Sequence, residues 1–165
     1  MDTTKAAKII SLITCCLVIC LSVLGMSDSG ISGVYKGCGW VERMCYHFMH
    51  ANIFHTLMNV WCLLSIVFMY NVTLWGIATA FAIAVSIPEI CLSHIPTVGL
   101  SGVIFALMGR ISFEVERKIY YQAWIFAYLV LGFVVPNVNA WVHVYCYLVG
   151  VAVALINKPI RIGEK

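Results

Sequence analysis

The chain has 165 residues, of which 62% are hydrophobic and only 10% charged, against about 45–50% apolar and about 25% charged in an average soluble domain. With a mean hydropathy of +0.97, a soluble domain of this size could not hide its apolar surface, so a soluble globular enzyme and a disordered or nucleic-acid-binding protein are excluded. The net charge of +3 says little alone, but the long apolar runs do not alternate, which excludes a membrane β-barrel and leaves an all-α polytopic membrane protein.

Six apolar runs follow in order, at about 7–25, 47–70, 73–91, 99–113, 119–136 and 139–157. They form one membrane domain over 1–165, with no internal repeat. The first run resembles a signal peptide in having Lys5 and Lys8 before an apolar core. Its length of about 19 residues and the lack of a small-x-small cleavage site favour a retained helix. Arg110, Arg117 and Lys118 fall in the break between the fourth and fifth runs, and Lys158, Arg161 and Lys165 close the chain. Six spans put all three basic clusters on one side, and the positive-inside rule makes that side cytoplasmic, with both termini there. Lys36 and Arg43 share the 26–46 loop with Asp28 and Glu42, so that loop is neutral.

Eight cysteines are many for this length. Most lie in apolar runs, where cysteine acts as a small hydrophobe. Cys38 and Cys45 sit in the outer loop, where either a disulfide or two free thiols fits the sequence.

Polar residues inside a bilayer are costly and mark cavities or bundle interiors. In the second run, HFMHANIFHTLMNVW, Asn52, His55 and Asn59 recur at i, i+3 and i+7, which predicts one shared helical face. His47 and His50 lie nearer its outer end. A polar seam between helices is one reading of this face. Metal binding is disfavoured: there is no HExxH, and ligands five positions apart turn about 140° around a helix.

The fourth run opens TVGLSGVIFALMG. Gly99, Gly102, Ala106 and Gly109 form a small-residue stripe that permits close helix packing. Ser101, at the helix start, suits either an N-cap or a nucleophile beside free backbone N–H groups. In the sixth run, His143 is followed by Cys146 and Gly150 at i+3 and i+7. Counted from inner boundaries at Asn71, Glu114 and Asn157, Asn59 lies about 18 Å up, Ser101 about 20 Å, His143 about 21 Å and His55 about 24 Å. In a hydrocarbon core about 30 Å thick, all four fall roughly 10 Å below the outer face. A shared site is the simplest account. The short fourth helix would leave a water-accessible hollow above Ser101.

These residues resemble the rhomboid family of intramembrane serine proteases. His50, His55 and Asn59 match its His-x4-His-x3-Asn pattern, GLSG at 99–102 its nucleophile motif, and His143 with Gly150 its last-helix histidine. The resemblance covers nearly the whole chain. It implies a six-helix bundle and a Ser101–His143 dyad without cofactor or metal. It also implies an oxyanion site made by the Ser101 N–H, Asn59 and His55, with His50, Gly99, Gly102, Phe105 and Gly150 as structural neighbours. The implied partners are transmembrane protein substrates in the lipid bilayer, cut near their outer ends, with no nucleic acid; the oligomeric state is left open. The minimal six-helix form points to a bacterial inner membrane. The alternative is a rhomboid-like pseudoprotease that binds membrane proteins without cutting them. A channel fits less well, because the inner half of the last helix, VAVALI, is apolar.

Four positions depart from the family pattern. Phe105 replaces a tyrosine under the catalytic histidine. Cys146 replaces a glycine, which predicts a slightly larger distance between His143 and Ser101. Val98 stands where glycine is common, and Trp40 and Arg43 do not form the usual Trp-Arg pair. The aromatic fifth run (Tyr120, Tyr121, Trp124, Phe126, Tyr128) is a lateral gate by resemblance, or lipid-facing packing.

Overall fold

The computed structural model describes residues 2–25, 33–136 and 138–157; Asp28, Lys158, Arg161 and Lys165 lie outside the described residues. Seven α-helices are found among them: α1 (Thr3–Val23), α2 (Trp40–Cys45), α3 (Ile53–Met69), α4 (Leu74–Val85), α5 (Ser101–Arg110), α6 (Lys118–Val134) and α7 (Ala140–Ile156). Single 3-10 turns occupy Tyr46–Phe48, Glu89–Cys91 and Ile111–Phe113. An antiparallel bridge between Val34 and Thr97 ties the segment before α2 to the segment before α5.

The six apolar runs thus appear as α1 and α3–α7, with α2 as an addition in the outer loop. Two boundaries move. The second run starts as helix only at Ile53, because the chain turns by 86° between Trp40–Phe48 and Ile53–Met69. Asn52 makes that turn: it is extended (φ −166°), and its side chain accepts a hydrogen bond from the His55 N–H. It is therefore a helix cap, which corrects the expectation that it shares a helical face with His55 and Asn59. His47 and His50 precede the helix for the same reason. The third run stops at Val85, where Ser86 Oγ bonds back to the Ala82 carbonyl (2.8 Å). Pro88 then lacks the N–H that a continuing helix needs.

Among the described residues, only α1, at 21 residues, is by itself long enough and apolar enough to cross a bilayer. The other five apolar helices are shorter than the roughly 20 residues expected of a full span.

α5 is the central helix, with Gly102, Val103, Ile104, Ala106, Leu107 and Gly109 all buried. It packs most closely on α7. A Cβ added at Gly109 would overlap the Tyr147 carbonyl, and one at Gly150 would overlap the Ala106 carbonyl. These two glycines let the backbones touch, as small residues do between membrane helices. α1 belongs to the same bundle: Ala6, Ala7, Ser11, Cys15 and Val18 are buried, and Thr56 Oγ1 of α3 donates to Ser22 Oγ across a 3.0 Å gap.

α6 is the loosest member. Only Ile125 and Gly132 are buried along it, and Tyr120, Trp124, Phe126 and Tyr128 face outward. Tyr121 turns inward and donates to the Met108 carbonyl (2.7 Å). Gln122 bonds Tyr147 of α7, whose hydroxyl also meets Ser112 (3.2 Å). The N-terminal half of α6 is therefore pinned by polar contacts, and its C-terminal half by the edge-to-face contact of Phe133 with Trp141 of α7.

Candidate active site

The GLSG segment enters α5 through a backbone turn that only glycine accepts easily. Gly99 has φ +116°, and a Cβ there would lie 2.9 Å from His55 Cε1. Its N–H donates to the Tyr46 carbonyl (2.9 Å). The next N–H, of Leu100, donates to His50 Nε2 (3.4 Å) in a fully buried setting. Two consecutive amides are thus held by the loop between α2 and α3.

Ser101 follows as the first helical residue, and Leu100 is the N-cap. The N-cap alternative for Ser101 therefore falls. Ser101 Oγ lies 2.9 Å from His143 Nε2 of α7. Phe105, one turn along α5, stacks on the His143 imidazole with centroids 4.5 Å apart and planes 18° from parallel. Both hydrogen-bonding partners remain partly exposed, as does His55.

α3 supplies the opposite wall. His55 and Asn59 both approach Gly99, Asn59 Nδ2 lying 3.6 Å from the position of an added Cβ there. Asn59 is buried and donates one amide hydrogen to the His55 carbonyl (2.9 Å); the amide carries a second donor hydrogen. His50 and His55 meet edge to face, with centroids 5.2 Å apart. The structure thus brings Ser101, His143, His55, Asn59, His50, Gly99 and Phe105 into one cluster.

Gly102 lies on the underside, where a Cβ would meet the Tyr46 hydroxyl at 3.0 Å and Cys146 Sγ at 3.5 Å. Cys146 is wholly buried against it. The thiol fits the space that Gly102 leaves, and Ser101 Oγ lies within 2.9 Å of His143 Nε2 beside it. The Val98 side chain packs toward Gly33, where an added Cβ would meet its Cγ1 at 2.8 Å.

Two elements of the site had no signal in the sequence. Tyr46, 1% exposed, holds Gly99 through its carbonyl and the Ala84 carbonyl of α4 through its hydroxyl (2.9 Å). Arg43 donates to the Ile87 carbonyl and pairs with Glu89, both at 2.5 Å, so it ties α2 to the loop after α4. Trp40 is exposed and takes no part. A tyrosine in an apolar loop and an ion pair 46 residues apart follow no local pattern; only the tertiary fold brings them together. Cys38 and Cys45 are free thiols, the first buried and the second half-buried. Among the described residues, no three His, Cys, Asp or Glu side chains converge as a metal site would require.

A comparison with curated proteins finds no match. The Rhomboid domain matches residues 37–159, which run from the loop before α2 past the end of α7 and contain every site residue named above. The chain belongs to the rhomboid family.

Proposed function

We propose that this chain is an intramembrane serine endopeptidase working through a Ser101–His143 dyad. The rhomboid domain makes it an integral membrane protein of a family of intramembrane proteases that act on membrane-protein substrates. The single observation that carries the finer reading is the 2.9 Å contact between Ser101 Oγ and His143 Nε2. That distance lies within reach for a general base and its nucleophile.

In this reading His143 Nε2 takes the Ser101 proton as Oγ bonds to the scissile carbonyl carbon. The carbonyl π electrons move onto oxygen and form an oxyanion. The Ser101 N–H is available for it, since the first N–H groups of a helix lack intrahelical acceptors. The second amide hydrogen of Asn59 and the His55 ring flank the same spot. His143 then gives its proton to the departing amine, and the C–N bond breaks. A water, deprotonated by His143, attacks the acyl-serine; its collapse returns the proton to Oγ and frees the carboxylic acid. Phe105 keeps the imidazole in plane throughout by contact with its face.

The substrate would be a transmembrane segment entering near its outer end. α1 and α3–α7 would be the six spans, with both termini cytoplasmic in a bacterial inner membrane. The test is cleavage of a reporter transmembrane protein in proteoliposomes. Wild type is expected to cut at one position near the outer end, and Ser101→Ala is expected to cut nowhere. A folded wild type that binds the reporter without cutting it would favour the pseudoprotease reading.

A further inference from the structure

Behind the nucleophile loop, on the side away from His143, lies a cavity of about 260 Å³ between α1, α3, α4 and α5. Its floor is Leu63, Leu100 and Val103, all at most 4% exposed. Leu100 is the residue next to Ser101. Along α4 its wall is Leu74, Ile77, Ala78 and Phe81, at i, i+3, i+4 and i+7, so the cavity runs about 10 Å along the helix. It is a slot rather than a sphere. Its mouth lies between Ile10 of α1 and Ala78 of α4, both exposed on the outer surface of the bundle.

Two buried polar side chains face this slot. Ser11 is 2% exposed, and its hydroxyl makes no hydrogen bond. It therefore holds no neighbour, and its effect is to leave room beside α4. His47 is fully buried between the Tyr46 and Phe81 rings. The Arg43 carbonyl acts on its ring as a backbone hydrogen-bond partner, and no other group reaches its nitrogens.

We propose that the slot seats part of the acyl chain of a bilayer lipid. The slot is continuous with the lipid-facing surface of an integral membrane protein, where hydrocarbon is the only solvent at hand. It is elongated and apolar, as an alkyl chain is. A chain seated there rests directly on Leu100 and so backs the nucleophile loop.

The test uses the full chain in nanodiscs of phosphatidylcholine, doped with a phosphatidylcholine carrying a diazirine in its sn-2 chain. After illumination, labelled residues are mapped by mass spectrometry. Wild type is expected to carry adducts on Leu63, Leu100 or Val103, which surrounding lipid cannot touch, as well as on exposed Ile13 and Trp75. Ser11→Leu and Ala78→Phe, which fill the slot, are expected to lose the floor adducts and keep the surface ones. Surface labelling and a melting temperature near wild type identify a folded variant, and either variant suffices. A wild type labelled only on its surface, or floor labelling undiminished in a folded slot-filled variant, would overturn the proposal. Neither readout requires proteolysis, so the result is independent of the dyad.

Discussion

Phe105 lies flat against the His143 imidazole, centroids 4.5 Å apart and planes 18° from parallel. The contact fixes the ring plane without a phenolic hydrogen bond. Phe105→Ala should therefore lower kcat at least tenfold, because the imidazole gains freedom to rotate off Ser101. Phe105→Tyr keeps the ring and should stay within a few-fold of wild type. Steady-state cleavage of a fluorogenic transmembrane peptide measures both, and equal rates for all three proteins would remove Phe105 from the site.

Asn59 and His50 should respond differently. Asn59→Ala removes a donor beside Gly99 and should lower kcat by about 10- to 1,000-fold. His50→Ala leaves the Leu100 N–H without its buried acceptor, at about 1–3 kcal/mol, and should show mainly as a lower Tm. Turnover and thermal melting of both variants separate the roles. A turnover loss in His50→Ala at unchanged Tm would contradict the division.

Arg43 and Glu89 form a pair whose halves are not equivalent. Glu89 is half exposed, so its share of the ion pair is small. Arg43 also satisfies the carbonyl of buried Ile87. Arg43→Ala should thus lower Tm by several degrees and Glu89→Ala by little. Melting curves in the same detergent decide it; equal losses would place the stabilisation in the ion pair.

Gly109 has no room for a methyl group against the Tyr147 carbonyl. Gly109→Ala must push α5 and α7 apart, at about 1–3 kcal/mol for overpacking. Because Ser101 is on α5 and His143 on α7, this variant should lose turnover together with thermal stability. Unchanged Tm would mean that the helices are not in backbone contact.

How much of this was legible in the sequence depended on the range of each interaction. The apolar runs placed α1 and α3–α7 within about four residues at most ends, since helix period and hydropathy are local, but missed the start of α3 and the end of α4 by six residues each. Depth counting brought Ser101, His143, His55 and Asn59 to one level because rise per residue is constant. The turn at 47–52 was not legible: HFMHAN is apolar enough to continue a helix, and only the cap made by Asn52 ends it. The fit of Cys146 into the space at Gly102 was missed for another reason. A larger residue on one helix is neutral when its partner is small, and the sequence does not show who faces whom. Tyr46 and Arg43 join segments tens of residues apart and left no local trace.

The central claim is that His143 activates Ser101. Its most direct test is labelling of detergent-purified protein by a fluorophosphonate probe, with wild type beside Ser101→Ala and His143→Ala, all checked for folding by thermal melting. The account predicts a labelled wild type and two folded, unlabelled variants, with the adduct on Ser101. A folded wild type that takes no label, or a His143→Ala protein that labels as fast as wild type, would contradict it.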